Sequence, residues 1–500
     1  MLPHLRLFTD SRLTEKLTKF AWGACIVMAI WFLVVYCVIA FIRLRYPFEL
    51  EWMEGGMVDH VVRVMQGLPL YQEPSFAFTP FIYPPLYFYV SAGIAKLTGI
   101  GFFALRFVSI FASIGNFLLL FVLAFRETRR AGVSLLAPGL FSATYVLSGS
   151  WMDIGRVDSL MLFFVLLSFL FLRTAKRWTS WVLAGLCATL AFYTKQSVWL
   201  LYVPIVIYLL FTLRKRAFIF IASGGIVTAA LFFLANIHSK GWFYYYMVTL
   251  PERHEWERFM IWSFWVKDLF LPLGIGCVLI ALWYRMRLST EIMREQRAFY
   301  TSVLVGGLLI GWISRLHSGG YINVLLPTHA CIALVLVLVC AHSEKSVSPL
   351  SRHKLQALVP CALLVQFAFL LYVPQAMIPS RAIRDAQEDL KIRLQAFKGP
   401  VYVQSHGWYQ YQQGSPITGH HMALLDVLRS SDPVQSFEIE KEFWRAISAR
   451  EFSAIVLDAE PEWKMLIELY YTLDQTIPLR PFNLVGAPAR PRWVYIPKAT

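Results

Sequence analysis

The chain is broken by apolar stretches of about 17–25 residues, the length a helix needs to cross the hydrocarbon core of a bilayer. The first runs from Ala21 to Ile42. Further candidate spans are Phe102–Phe125, Val133–Ser150, Asp158–Leu172, Trp178–Tyr193, Val198–Leu213, Ala217–Ile237, Val266–Tyr284, Ala298–Ser314, Tyr321–Ala341 and Leu355–Pro374. Composition agrees. The 500 residues are 57% hydrophobic and 15% charged, and mean hydropathy is +0.55. A soluble domain has about 45–50% apolar and about 25% charged residues. The pattern therefore predicts a polytopic membrane protein, mainly α, with about 11–13 helices in the bundle.

The net charge of +15 does not imply nucleic acid. Membrane proteins gather Lys and Arg in cytoplasmic loops, and no arginine-rich tract with interleaved aromatics is present. The seven cysteines all lie in apolar segments, which argues for buried thiols and against a disulfide framework. Arg6, Arg12, Lys16 and Lys19 precede the first span. That span is too long for a signal-peptide core and lacks a cleavage site, so it reads as an uncleaved anchor with a cytoplasmic tail over 1–20.

Charge also sets the expected topology. If Phe81–Gly99 does not cross, then "RETRR", "RTAKR", "RKR", "YRMR" and "HSEKSVSPLSRHK" share the cytoplasmic side with the N-terminus. If it does cross, the bias reverses, against the rule that positive loops stay inside. Phe81–Gly99 is therefore read as a helix lying on the outer surface, opened by Pro84 and Pro85. This puts a first outer loop at 43–101, followed by "WMDIGRVDS", "YTKQS", residues 238–265, "SRLHSGGY" and the C-terminus, all on the outer side. The membrane domain is expected over 21–379. After Pro374 and Pro379 the chain becomes less apolar, and 380–500 reads as a small extracytoplasmic α/β domain. "GPVYVQS", "FSAIVLDA" and "RWVYIP" are its expected strands. "MALLDVLRS" and "KEFWRAISAR" are expected helices, with a further helix over Ala382–Phe397.

The acidic stretch "PFELEWMEGGMVDH" follows the first span. If a helix starts near Glu51, then Glu51 and Glu54 share one face, and Gly55 and Gly56 permit close approach. Solvated carboxylates at a helix start are the alternative. Asp153 and Asp158 bracket Arg156 at the mouth of another span, as a local ion pair or as part of a shared cleft. Lys195, Arg315 and His317 are either snorkelling groups or phosphate ligands. His406, His420 and His421 lack the spacing of a metal site and read as loop polarity. No nucleotide-binding motif, zinc motif or Ser/His/Asp motif is found. An enzyme working outside needs an activated donor that reaches that face, and a lipid carrier does so.

Five motifs occur in order on the expected outer side. They are the acidic loop followed by Gly67-x-x-x-Tyr71, "YPPLYFYV", "ALRFVSI", "GRVDS" and "YTKQS". In these the chain resembles the GT-C membrane glycosyltransferases, especially the bacterial branch related to protein O-mannosyltransferases and to the aminoarabinose transferase of lipid A. The resemblance implies an inverting transfer of a sugar from a polyprenyl-phosphate donor to a glycan, lipid or protein, at the outer face of a bacterial inner membrane. It implies a first-loop carboxylate as base (Glu54 or Glu51), with Asp158 or Asp153 as the second acid. It also implies cations at the leaving phosphate, from Lys195, Arg156, Arg315 and His317. A lipid or acceptor groove would lie along Tyr83, Pro84, Pro85 and Tyr87. No cofactor is implied, and the related branches argue against a divalent metal. The sequence departs from these relatives twice: Met53-Glu54 stands where they carry Asp-Glu, and Gln196 where they carry Gly. Two other readings stay open, a transporter or flippase and a non-catalytic assembly protein. Polar groups at span ends and the lack of related halves favour the enzyme.

Overall fold

The computed structural model describes residues 11–343, 349–430, 432–458 and 464–499. Arg6 and residues 344–348 of the last basic loop lie outside the described residues.

All the apolar blocks are helical in whole or in part. Among the described residues, six helices are long and apolar enough to cross a membrane: Glu15–Leu44, Phe102–Thr128, Arg214–His238, Met260–Arg285, Glu291–Leu316 and Ile322–Ser343. A seventh counts if Leu355–Phe369 and Pro374–Gln395, bent by 57°, form one span. This is a multi-pass integral membrane protein. The last of the six is buried from Asn323 to Ser343, so the other helices wrap around it. Asp158–Thr174 and Trp178–Thr194, at 17 residues each, are shorter and pack against one another.

Val133–Ser150, expected as one span, is broken. Helix Leu136–Ala143 stops and a short 3-10 turn, Val146–Ser148, follows. Gly149 and Ser150 then take positive φ, with Ser150 N bonding back to Tyr145 O at 2.9 Å. The chain must reverse here to present "WMDIGR" to the bundle end, and a straight helix would carry it past.

Helix α1 (Ser11–Leu44) leads into the acidic loop, and α2 (Glu54–Met65) follows it. The expected helix start at Glu51 is thus three residues early. Glu51 sits in a turn closed by Glu54 N to Glu51 O at 2.9 Å. A Cβ on Gly55 would lie 2.2 Å from Glu49 Oε1, and one on Gly56 would lie 2.7 Å from the Phe81 ring, so both glycines are required by close approach. Gly67, at φ +69°, ends α2 in the left-handed manner usual after a helix.

The Phe81–Gly99 segment forms α3 (Leu86–Thr98). Thirteen residues span about 20 Å at 1.5 Å per residue, short of the roughly 30 Å of hydrocarbon. It packs between α2 and α4 (Phe102–Thr128). His60 of α2 holds it: Nδ1 donates to Gly56 O at 2.6 Å, and Nε2 accepts Phe81 N at 2.9 Å. The ring stacks on Phe81 and Phe88. Burial pushes His60 down to about 4, which keeps this tautomer neutral.

The C-terminal part is α/β. Strands β1 (Val401–Val403), β2 (Ala454–Leu457), β3 (Tyr471–Thr476) and β4 (Trp493–Pro497) form one sheet in the order β1-β2-β4-β3. β1 and β2 run parallel, and β4 is antiparallel to both β2 and β3. Strand β3 escaped the sequence reading. It is an edge strand, mostly exposed, and "YTLDQT" carries little of the apolar signal that marks a buried strand. Helix Arg381–Gln395 starts with Ser380 accepting Ile383 N at 3.3 Å, an ordinary N-cap.

Candidate active site

At one end of the bundle the acidic loop, α2 and the 151–157 turn meet the C-terminal sheet domain, and the 194–198 turn joins them through Asp158 and Ile82. Glu54 and Arg106 form the frame. Glu54 Oε1 accepts Arg106 Nε at 3.0 Å and Gly155 N at 2.7 Å. Its Oε2 accepts Arg106 Nη2 at 2.6 Å and Leu50 N at 2.8 Å. Arg106 also donates to the carbonyls of Arg43, Tyr46 and Phe48 at 3.1, 2.5 and 2.6 Å. Both side chains are fully buried. Burial alone would raise Glu54, but Arg106 and the two amides outweigh it and hold the carboxyl below its ordinary range. A carboxylate saturated in this way is a fixed anion that shapes the loop, and it is poorly suited to take a proton.

Glu51 is different. It is fully buried, yet its Oε1 has no hydrogen-bond partner. Its Oε2 accepts Met53 N at 3.2 Å and faces Arg156 Nη1 at 3.6 Å. Burial, only partly offset by Arg156, pushes Glu51 up to about 8. This is where a general base serves best, because an effective base has its pKa near the working pH.

Arg156 is the hub. Its Nη2 donates to Tyr83 Oη at 2.8 Å, and its guanidinium lies 4.5 Å from the Trp151 ring centre. Trp151 stacks on Tyr321 at 5.2 Å. Arg156 Nε and Nη1, Trp151 Nε1 and Asp158 Oδ2 are buried without hydrogen-bond partners. Asp158 opens its helix and takes Lys195 Nζ at 2.6 Å and Asn323 Nδ2 at 3.0 Å, both on Oδ1. Gln196, where the resembled family carries Gly, donates to Ile82 O at 2.9 Å and ties this turn to the segment before α3.

The remaining candidates lie elsewhere. The local pairing of Asp153 or Asp158 with Arg156 is not formed, because each group is paired across the fold. Asp153 accepts Tyr145 Oη at 2.8 Å and pairs with Arg43 at 3.2 Å. Arg315 is paired with Asp268 at 2.7 Å and bonded to Gly320 O. His317 donates to Pro251 O at 3.1 Å and its ring lies tilted against His254 at 5.0 Å, where Ser318 meets Arg429 of the C-terminal domain. Neither joins Arg156 and Lys195 among the contacts of the site. Tyr87 is buried, with its hydroxyl on Leu105 O and Ser109 Oγ, both at 2.9 Å, so it packs the frame and lines no groove. Pro84 is buried and Pro85 caps α3. No group of three or more His, Cys, Asp or Glu suited to a metal ion occurs among the described residues.

The sequence reading missed Arg106 as a named site residue, although the "ALRFVSI" motif contains it. It also missed Trp151, Tyr321 and His406. His406, read as loop polarity, bridges two carboxylates: Nδ1 to Glu49 Oε2 at 2.5 Å and Nε2 to Asp458 Oδ1 at 3.5 Å. With Gln387 Nε2 to Glu49 O at 2.8 Å, it clasps the C-terminal domain to the acidic loop. Burial would lower His406, but Glu49 and Asp458 reverse this and raise it to about 10. A raised imidazole stabilises fully below its unfolded value of about 6.5 and loses that contribution as pH climbs through about 10. The thermal midpoint of the wild type should therefore fall between about pH 7 and about pH 10. His406→Gln should start lower and change less over that range. Equal slopes for the two proteins would contradict the clasp.

A groove of about 800 Å³ is lined by Phe192, Val198, Trp199, Tyr202, Phe220 and Phe232 among others; of these, Phe192 and Val198 each stand three residues from Lys195 in sequence.

A family model described as dolichyl-phosphate-mannose-protein mannosyltransferase matches residues 83–239, which include Tyr83, Arg106, Arg156, Asp158 and Lys195. Two solved structures of ArnT from Cupriavidus metallidurans align over 93% of this chain and 97% of theirs. The one bound to undecaprenyl phosphate gives a TM-score of 0.59 at 13% identity. The apo form gives 0.60 at 14%. The chain has a GT-C-type fold. No curated protein sequence matches it. In this GT-C chain the family match ends before the C-terminal domain and begins after Glu51 and Glu54, so the acidic loop rests on the geometry above.

Proposed function

We propose that the chain is a membrane glycosyltransferase that moves a sugar from a polyprenyl-phosphate donor to a hydroxyl-bearing acceptor. One observation carries this reading. Glu51 Oε1, Arg156 Nε and Asp158 Oδ2 are buried without hydrogen-bond partners, with Arg156 Nη1 3.6 Å from Glu51 and Asp158 holding Lys195 at 2.6 Å, and Lys195 stands three residues from the groove-lining Phe192 and Val198 in sequence. Buried polar atoms without partners are costly, and charged ones more so, so their clustering argues for a polar ligand between them. The groove takes the apolar tail, and Lys195 with Arg156 takes the phosphate. ArnT, a structural neighbour, binds undecaprenyl phosphate, which supports this choice of lipid.

The chemistry follows from the side chains. The acceptor O–H gives its proton to Glu51. The acceptor oxygen bonds to the anomeric carbon from the side opposite the phosphate. The anomeric carbon–oxygen bond breaks, and its electron pair leaves on the polyprenyl phosphate, where Arg156 and Lys195 stabilise it. Attack opposite the leaving group inverts the anomeric centre. Asp158 holds Lys195 in place. The charge bias of the loops supports placing this end of the bundle at the outer face, and the resemblance to the bacterial GT-C branch supports a bacterial inner membrane.

Binding tests the donor half. Purified full-length protein should bind undecaprenyl phosphate saturably. Lys195→Met and Arg156→Met should each weaken binding by about tenfold or more, the worth of roughly one charge-assisted contact. Unchanged binding in both variants would contradict the placement of the phosphate.

A further inference from the structure

The cover over Glu51 comes from the C-terminal domain. Leu484 N and Val485 N both donate to Leu50 O, at 2.9 and 3.0 Å, and Val485 pairs in parallel with Glu51. Gly486 follows at φ +81°. A Cβ there would lie 2.7 Å from Glu51 Cγ and 2.9 Å from Oε1, the oxygen without a partner. Asn483 fixes the shape of this turn: its Nδ2 donates to Val485 O at 2.7 Å and Ala487 O at 2.8 Å, and its Oδ1 accepts Ala489 N at 3.3 Å. Leu484 and Val485 pack against Leu50, Trp151 and Ile154, so the turn rests on the ring that covers Arg156. Gly486 is half-buried, and Ala487 and Pro488 beyond it are exposed. The turn therefore stands between Glu51 and solvent, while the lipid groove and Lys195 belong to the membrane helices.

We infer that the Asn483–Ala487 turn is the acceptor-side wall of the site, and that Gly486 is a positioning residue that sets how closely an acceptor hydroxyl approaches Glu51 Oε1. This rests on the reading of Glu51 as base. A residue with a Cβ at 486 presses on that carboxylate and fills the space through which the hydroxyl enters. The turn thus acts on the acceptor and leaves the donor alone. A domain fastened to the acidic loop by Glu49, His406 and Gln387 brings it there.

Gly414 supplies the control. It has φ +80°, but a Cβ there would meet nothing within 4 Å. Gly486→Ala and Gly414→Ala therefore share backbone strain and differ in what the methyl touches. Full-length protein in nanodiscs would be given a panel of undecaprenyl-phosphate sugars, with dilutions of a membrane extract supplying acceptor. Gly486→Ala should lose transfer by tenfold or more while its affinity for undecaprenyl phosphate stays within twofold of wild type. Gly414→Ala should match wild type in both. Asn483→Ala adds no bulk and serves if Gly486→Ala does not fold. It should need at least fivefold more extract for half-maximal rate, with kcat and donor affinity little changed. Wild-type transfer in Gly486→Ala would overturn the wall, as would equal losses in Gly414→Ala, or a loss of donor affinity that parallels the loss of transfer. If Asn483→Ala changed kcat alone, the turn would be a packing element. Failure of the underlying reading shows separately: full transfer in Glu51→Gln, or no transfer by wild type with any donor, removes the base and the wall together.

Discussion

Arg106→Ala should leave little folded protein. Its guanidinium satisfies both oxygens of Glu54 and three backbone carbonyls of the loop that carries Glu49 and Glu51, with both partners fully buried. Removing one member of such a pair strands the other charge, at a cost of about 3–5 kcal/mol. That is a large part of the stability of a typical domain, roughly 5–15 kcal/mol. Glu54→Gln should fail in the same direction and more mildly, because the amide keeps the shape and one acceptor. Both are read by yield and thermal midpoint in detergent. A stable Arg106→Ala protein with normal transfer would mean that the frame is dispensable.

Glu51→Gln should do the opposite. The protein should fold and bind undecaprenyl phosphate, while transfer falls by about 10²–10⁴-fold, the usual worth of a positioned base. Its fold should survive because only the Met53 amide and a 3.6 Å contact with Arg156 depend on the carboxylate. The pH dependence has a definite sign. Burial raises Glu51 to about 8, and a base works deprotonated, so kcat/KM should climb with pH and level off above about 8. A profile already flat at pH 6 would mean that Glu51 is not the group that takes the proton.

These two outcomes separate glutamates that the sequence could not separate. Their grouping was legible: four carboxylates beside a double glycine, just past a span. Their roles were not, because a helix starting at Glu51 puts both on one face, whereas the helix starts at Glu54. Glu51 is held in a turn by a bridge to Val485, more than 400 residues further along the chain. His406 was illegible for the same reason, since its partner Glu49 lies 357 residues away. Block length and apolarity marked the helices well, because crossing a bilayer sets a length that single segments carry. The break after Ala143 and edge strand β3 answer to neighbours rather than to local pattern. Among the candidate cations, Lys195 and Arg156 stand with the site's carboxylates. Arg315 and His317 have the same chemistry but found other partners, which only the folded chain reveals.

The most direct test is release of polyprenyl phosphate. Purified wild type, Glu51→Gln and Asp158→Asn would be mixed with a panel of polyprenyl-phosphate sugars and a membrane extract as acceptor source. Mass spectrometry would follow the freed lipid phosphate and the glycosylated product. A single donor consumed by wild type, with release lost in both variants while Glu51→Gln still binds undecaprenyl phosphate, is the expected result. No release from any donor by folded wild type, with a known transferase active in the same extract, would contradict the account. Undiminished release in Glu51→Gln would contradict the site.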